Sequence, residues 1–339
     1  MKFGFVRISE AEGAVLVHPT SAGGSRLLKG HVLTSADVAA LAREGTDEIV
    51  VARADLGEVL ENEAATRIAE AVVSPQIRLS PAAGGRVNVY SRIRGLFVAV
   101  REAVDRLNGI DPSIALACLG DGTPVQPGDL LATFKIIPFA VAGSVVEQAY
   151  DFLCAWPVFH VRPFIPRRAA LIATELPSLK RLTMDKTQAV LAARFQQYES
   201  QLASERRVAH AEEAVAGAIS ELMVDHDLVV IFGASAVADT NDVVPAAIRR
   251  AGGHVAQVGM PVDPGNLIVL GCIGTLPIIG APGCARSPTE NGFDWVLRRV
   301  LAGCWPSPQE IAGLGVGGLL KGKGSHPKPR VMGTGAAQA

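Results

Sequence analysis

The sequence predicts an α/β protein. A three-layer α/β/α domain on a mostly parallel sheet is expected over residues 168–303, preceded by an N-terminal α+β region over 1–161. Three observations predict this. Downstream of residue 168, short apolar runs rich in β-branched residues alternate with helical segments, the pattern of a parallel sheet covered on both faces. The polar, glycine-marked loops of this half, 174–187, 233–242 and 281–291, all follow such runs. Upstream, short strand-like runs gather around Pro-Gly turns instead.

In chain order, residues 1–30 read as a strand-rich lead. Thr34 or Ser35 can cap a helix in "ADVAALAREG", and "DEIVVARA" alternates like a strand. "VYSRIRGLFVAVREAVDRLNG" enters a helix that ends at Gly109, followed by strands "IALACL" and "GTPVQPGDLLATFKIIPF". The "VQPGDLLATFK" turn is similar to one found in small β-barrel carrier modules, so a β-barrel-like module is expected over about 75–150. Two prolines and three arginines in "RPFIPRR" (162–168) mark a linker. Beyond it come strand "AALIAT", a helix over "MDKTQAVLAARFQQYESQLA" for whose cap Thr183, Asp185 and Thr187 compete, helix "HAEEAVAGAISELM" and strand "DLVVIFG". Helix "NDVVPAAIRRAGG", three further strands ("HVAQVGM", "NLIVLG", "LPIIG") and helix "GFDWVLRRVLAG" complete the domain. Residues 320–339 lack apolar periodicity and are expected to be disordered.

Composition narrows the function. The chain has 339 residues, 49% of them hydrophobic, and a net charge of -1 from 32 cationic and 33 anionic side chains. Such a balance gives no broad electrostatic reason to bind nucleic acid or a membrane face. Five cysteines, an odd number with no C-x-x-C pair, argue against a disulfide framework or structural zinc and for reduced thiols in the cytoplasm. The start has no signal-peptide core, and the most apolar region, 136–161, is interrupted by Glu147, Asp151 and two prolines.

The candidate site lies on the loops beyond the carboxyl ends of the strands, where open parallel sheets bind ligands. In the first loop Thr174, Glu175, Asp185, Lys186 and Thr187 are the polar candidates. In the second, Gly233 permits a sharp turn, Ala234 and Ser235 follow, and Asp239 and Asp242 stand three apart at a helix entrance. Two carboxylates there suit either the helix dipole and cap or a Mg²⁺ ion bridging to phosphate. In the third, Pro282, Gly283 and Cys284 precede Arg286, Ser287 and Thr289, so turn amides, hydroxyls and one guanidinium could cradle an anion. The turn-rich "GMPVDPGN" (259–266) adds Asp263 and Gly265. "GLGVGG" (313–318) lacks the strand–turn–helix context of a dinucleotide loop.

These segments together resemble the molybdopterin-binding domain family, the fold shared by molybdopterin adenylyltransferases and molybdopterin molybdenumtransferases. Gly233, Ser235 and Asp239 stand where that family has "G-G-x-S-x-G-D", and Ala281–Cys284 stands at its "L-P-G-N-P" loop. "DKT", "GAS", "GMPVDPGN" and "GAPGCARSPTENGFDWVL" are most similar to the amino-terminal half of proteins fused to a cytidylyltransferase-like domain. The resemblance implies binding of molybdopterin, its adenylate or its molybdenum form, with or without Mg²⁺ on Asp239 and Asp242. It implies an enzyme that helps transfer molybdate or adenylate, or a carrier that hands cofactor to a cytidylyltransferase or molybdenum hydroxylase. It also implies a homo-oligomer, a dimer first. Under it, Ser235 and the amides near Gly233 and Gly283 would hold ligand oxygens, Asp239 and Asp242 metal or water, and Arg286 would neutralise charge. The chain departs from the pattern at Ala234, at the missing aspartate after Thr174, and at the missing lysines where "DPGN" stands.

Overall fold

The computed structural model describes residues 1–177 and 180–320. Most of the expected disordered tail, from 321 onward, therefore lies outside the described residues. The chain divides between Pro163 and Phe164 into two compact units.

In the first unit, Lys2–Arg7, Glu48–Arg53 and Val15–Leu16 form an antiparallel sheet with Glu48–Arg53 in the middle. Helix Ser35–Arg43 follows Thr34, whose hydroxyl accepts the Asp37 amide while the Asp37 carboxylate accepts the Thr34 amide. This reciprocal cap satisfies two orphan donors of the first turn. Farther on, a four-stranded sheet (Ile114–Cys118, Leu130–Ile136, Arg86–Ser91, Ile77–Leu79) and a three-stranded sheet (Thr123–Val125, Gly95–Ala99, Phe159–Pro163) pack with helices Glu61–Glu70, Arg101–Asn108 and Gly143–Ala155. Among the described residues these strands form separate open sheets, which corrects the expected barrel-like module. The "QPGD" turn forms as a local device: the Gln126 amide donates to Asp129 Oδ2 at 2.7 Å, and Gly128 takes φ +94°. "VYSRIRGLFVAV" makes two strands, and the helix is confined to Arg101–Asn108.

The second unit holds a six-stranded sheet in the order Gln201–Ala209, Arg168–Glu175, Leu228–Phe232, Leu276–Ala281, Val269–Ile273, His254–Val258. The first four run parallel, and Val269–Ile273 is antiparallel to both of its neighbours. Successive side chains of a strand point to opposite faces, and here each face has its own core. Leu171, Val230, Phe232 and Ile279 pack with Leu191, Phe195, Val296 and Leu301 on one side. Ile172, Val229, Ile231 and Ile278 pack with Val215, Ile219, Ala247 and Ile248 on the other. The central strand Leu228–Phe232 is no more than 1% exposed at any position, and each such side chain contributes about 1.5–3 kcal/mol on burial. Helices Arg181–Gln196 and Gly292–Leu301 cover one face, Glu212–Leu222 and Val243–Arg250 the other. This is the expected three-layer α/β/α fold.

Two local expectations change. The helix expected over 184–203 is Arg181–Gln196, and the following residues turn at Glu199 (φ 57°) into the edge strand Gln201–Ala209. Asp185 therefore lies inside the helix, where it pairs with Arg207 at 2.6 Å instead of capping.

Candidate functional site

Strands Arg168–Glu175, Leu228–Phe232 and Leu276–Ala281 are neighbours, with Ala173 opposite Phe232 and Phe232 opposite Ala281. Three loops therefore leave the same edge of the sheet. Thr174 is fully buried, and its hydroxyl accepts the Ala234 amide at 2.7 Å, so the first strand fixes the second loop. Gly233 is required where it stands, because a Cβ there would lie 2.7 Å from the Ser235 carbonyl oxygen. Ser235 is exposed just beyond this tight turn.

The third loop begins with Pro282 and a 3-10 turn, Gly283–Arg286. Its first amides, at Gly283 and Cys284, have no acceptor within the turn itself. The loop is held from below by Arg194, a buried side chain of helix Arg181–Gln196. Its guanidinium donates to the carbonyls of Ala285 (2.7 Å) and Ser287 (2.8 Å) and to Asp294 (2.6 Å). Asn291 and Asp294 then cap helix Gly292–Leu301 reciprocally. Ser287 and Thr289 bond each other at 3.1 Å and are exposed.

Arg286 closes the arrangement. Its Nη1 donates to Thr187 Oγ1 at 2.7 Å and its Nη2 to the Gly233 carbonyl at 2.9 Å, with the guanidinium 5.0 Å above the Phe232 ring. Burial pushes its pKa below the usual arginine value. Thr187 in turn donates to the Thr183 carbonyl. Arg286 thus braces the second loop against the third and against helix Arg181–Gln196. Burial pushes the Cys284 thiol up from its ordinary value, which makes it a poor nucleophile.

The carboxylates are arranged otherwise. Asp242 caps helix Val243–Arg250, accepting the Val243 amide at 2.7 Å and the Ala238 amide at 2.9 Å. Asp239 is exposed and accepts the Asn241 amide at 2.7 Å in a local turn. Among the described residues no group of three or more His, Cys, Asp or Glu side chains could hold a metal ion. A Mg²⁺ at this edge would find Asp239 and Asp242, three of whose four carboxylate oxygens already accept backbone amides. Glu175 is exposed, and its carbonyl accepts the His210 amide.

Asp263 lies in the 259–266 loop, with an exposed side chain and its backbone bonded to Gly318 and Leu320. Gly265 takes φ +135°, and a Cβ there would meet the Gly292 amide nitrogen at 2.5 Å. The two glycines let "DPGN" lie against the start of helix Gly292–Leu301, where the Gly292 amide donates to the Pro264 carbonyl. Asp263 and Gly265 therefore bear on the third loop from its far end.

The structure brings Thr174, Thr187, Gly233, Ala234 and Arg286 into one bonded network and places Ser235 and Pro282–Ser287 beside it. It adds two residues that sequence reasoning missed. Arg194 carries no local signal, since its partners lie about a hundred residues away. His210 directly follows the edge strand Gln201–Ala209 and lies 2.8 Å from Thr174 Oγ1 through Nδ1. Chemically, the edge offers turn amides, exposed hydroxyls and one charged brace: groups that hold an oxyanion without titrating.

A comparison with curated proteins gave no match. Among solved structures, the chain is similar to a molybdopterin biosynthesis MoeA protein from Pyrococcus horikoshii, at 17% identity and a TM-score of 0.31, covering 72% of this chain and 79% of that chain. It is also similar to a molybdenum cofactor biosynthesis protein B, at 15% identity and a TM-score of 0.28, covering 40% of this chain and 88% of that one. A molybdenum cofactor biosynthesis protein from Pyrococcus furiosus matches at 14% identity and a TM-score of 0.27, covering 74% and 71%. Residues 5–53 match a domain of unknown function. Residues 170–303, which include all three loops, match the family described as a probable molybdopterin binding domain.

Proposed function

We propose that the second unit binds molybdopterin, the phosphorylated pterin of the molybdenum cofactor, at the carboxyl edge of its sheet, and serves in biosynthesis or maturation of that cofactor. The observation that carries this reading is the Arg286 brace. By tying Gly233 to the third loop, it sets the Gly233–Ser235 turn beside the Pro282–Cys284 turn. Two amide-rich turns on neighbouring parallel strands can grip one phosphate from two sides. Ser235, Ser287 and Thr289 would add hydroxyl donors. Arg286 would act through position and through the charge it brings under the turns, since its terminal nitrogens are engaged.

Holding and handing on the cofactor is favoured over transfer chemistry. Both oxygens of Asp242 and one oxygen of Asp239 bind backbone amides, the arrangement of a cap and a turn. A carrier would deliver its ligand to a cytidylyltransferase or a molybdenum hydroxylase. A transferase would instead move adenylate or molybdate with Mg²⁺.

The test is equilibrium binding of molybdopterin followed by pterin fluorescence, with AMP release from MgATP and molybdate insertion measured in parallel. Tight stoichiometric binding without turnover is expected. Ser235→Ala should weaken binding roughly tenfold to a hundredfold, the value of one hydrogen bond to a charged group. No binding by the wild-type protein refutes the reading, and sustained AMP release or metal insertion replaces the carrier with the enzyme.

A further inference from the structure

His210 is a half-buried histidine at the end of strand Gln201–Ala209, on the same edge of the sheet as the three loops. Its backbone amide donates to the Glu175 carbonyl at 3.0 Å, so its place is fixed by the neighbouring strand. Its Nδ1 lies 2.8 Å from Thr174 Oγ1. Which of the two atoms carries the shared proton follows from the hydroxyl. A threonine hydroxyl has one proton to give and two positions at which to accept. The Ala234 amide already donates to Thr174 Oγ1. Thr174 is 0% exposed, so its proton has no access to water, and among the described residues His210 Nδ1 is its hydrogen-bond acceptor. The opposite assignment, Nδ1–H donating to Oγ1, would leave a buried hydroxyl proton unbonded, a loss that disfavours it roughly tenfold or more. Nδ1 therefore accepts, and a neutral imidazole with Nδ1 as acceptor carries its proton on Nε2.

Among the described residues Nε2 has no hydrogen-bond partner. The ring stands beside the second loop, since its Cε1 lies 3.8 Å from the Cβ position of Gly233. The nearest acidic side chains along the chain, Glu212 and Glu213, are paired with Arg250 at 3.3 Å and 2.7 Å. We propose that Thr174 fixes His210 as an Nε2–H donor that binds an anionic oxygen of the ligand held by the Gly233–Ser235 turn. This rests on the molybdopterin reading above and adds a contact from a third strand. An imidazole N–H is a directional donor to an oxyanion and gives nothing to an aliphatic or cationic group, and the oxyanion of the ligand proposed above is its phosphate. Thr174 acts here as a positioning residue, linking the Ala234 amide to the imidazole.

The experiment has two arms. In the free protein, long-range ¹⁵N–¹H correlation of the imidazole signals, assigned by comparison with His210→Gln, reads the tautomer. A bare nitrogen at Nδ1 and a protonated Nε2 are expected in the wild type, with a mixture in Thr174→Val. Protonated Nδ1 in the wild type overturns the proposal. In the second arm, molybdopterin binding is measured for wild type, His210→Leu and His210→Gln, with circular dichroism to verify folding. His210→Leu should bind about tenfold to a hundredfold more weakly, and His210→Gln, whose amide offers an N–H near the Nε2 position, should recover much of the loss. Folded His210→Leu binding as tightly as wild type refutes the contact while the pterin reading stands. A wild-type protein that does not bind molybdopterin refutes both, and its tautomer spectrum then tells whether the donor geometry was itself correct.

Discussion

Replacing Arg194 by methionine tests the scaffold beneath the third loop. The side chains of Arg194 and Asp294 are 6% and 13% exposed, and the guanidinium holds Asp294 at 2.6 Å and 3.3 Å. It also holds the carbonyls of Ala285 and Ser287, with Thr289 at 3.5 Å. Methionine preserves much of the apolar stem but removes every donor. Asp294 is then left as a largely buried charge with the Asn291 amide as its remaining hydrogen-bond donor among the described residues, and two carbonyls lose charged partners. Removing one member of a buried pair costs about 3–5 kcal/mol, and the carbonyl losses overlap with that cost more than they add to it. The expected loss is about 4 kcal/mol. For a unit of this size each kcal/mol shifts Tm by about 2–4 °C, so a fall of about 8–16 °C is expected. Trp295 and Trp305 lie in the second unit, so tryptophan fluorescence in a Trp156→Phe background reports its unfolding. Arg194→Lys should fall between, because a single ammonium cannot span Asp294 and two carbonyls at once. Arg194→Met with a loss below about 1 kcal/mol would show that the loop is held by other means and that the reasoning is wrong.

Other predictions follow from single contacts. Gly265→Ala meets both a positive φ and the Gly292 amide at 2.5 Å, so it should destabilise the second unit by about 2 kcal/mol or more and weaken ligand binding, read by urea titration and pterin fluorescence. Asp242→Ala removes a helix cap and should lower stability by about 1 kcal/mol, whereas Asp239→Ala, which loses one turn bond, should leave urea midpoints nearly unchanged. Hydrogen bonds from His31 first, then Thr34, hold Asp37 down to about 2, below its ordinary 3.8. Its stabilising contribution is therefore complete above pH ~4 and is lost as pH falls through 2. Melting of wild type should decline across that window more steeply than melting of Asp37→Asn, and parallel curves would remove Asp37 from the explanation.

The layers of the second unit were legible because strands buried on both faces must be apolar throughout, as "LVVIF" and "PIIG" are. The loops were legible for a related reason. A sharp exit from such a strand needs glycine or proline, and Gly233 and Pro282–Gly283 mark two of them. Edge position hid Gln201–Ala209: bordered on one side only, "QLASERRVA" carries mostly polar, half-buried residues and reads as the end of a helix. His210 is hidden with it, since a lone histidine has no spacing pattern to give it away. The brace formed by Arg194 and Arg286 was illegible in principle, because their partners are set by the tertiary fold. The sequence marks Arg286 by its charge, whereas the structure engages its terminal nitrogens with Thr187 and Gly233. In the first unit, the turn chemistry of "QPGD" was legible while the way its strands divide between sheets was not, since pairing partners depend on contacts far apart in sequence.

The most direct measurement of the central claim is a crystal structure of the protein with molybdopterin bound. The phosphate is predicted between the Gly233–Ser235 and Pro282–Cys284 turns, with Arg286 still donating to the Gly233 carbonyl. A pterin seated elsewhere on the molecule, or a phosphate remote from both turns, would contradict the account.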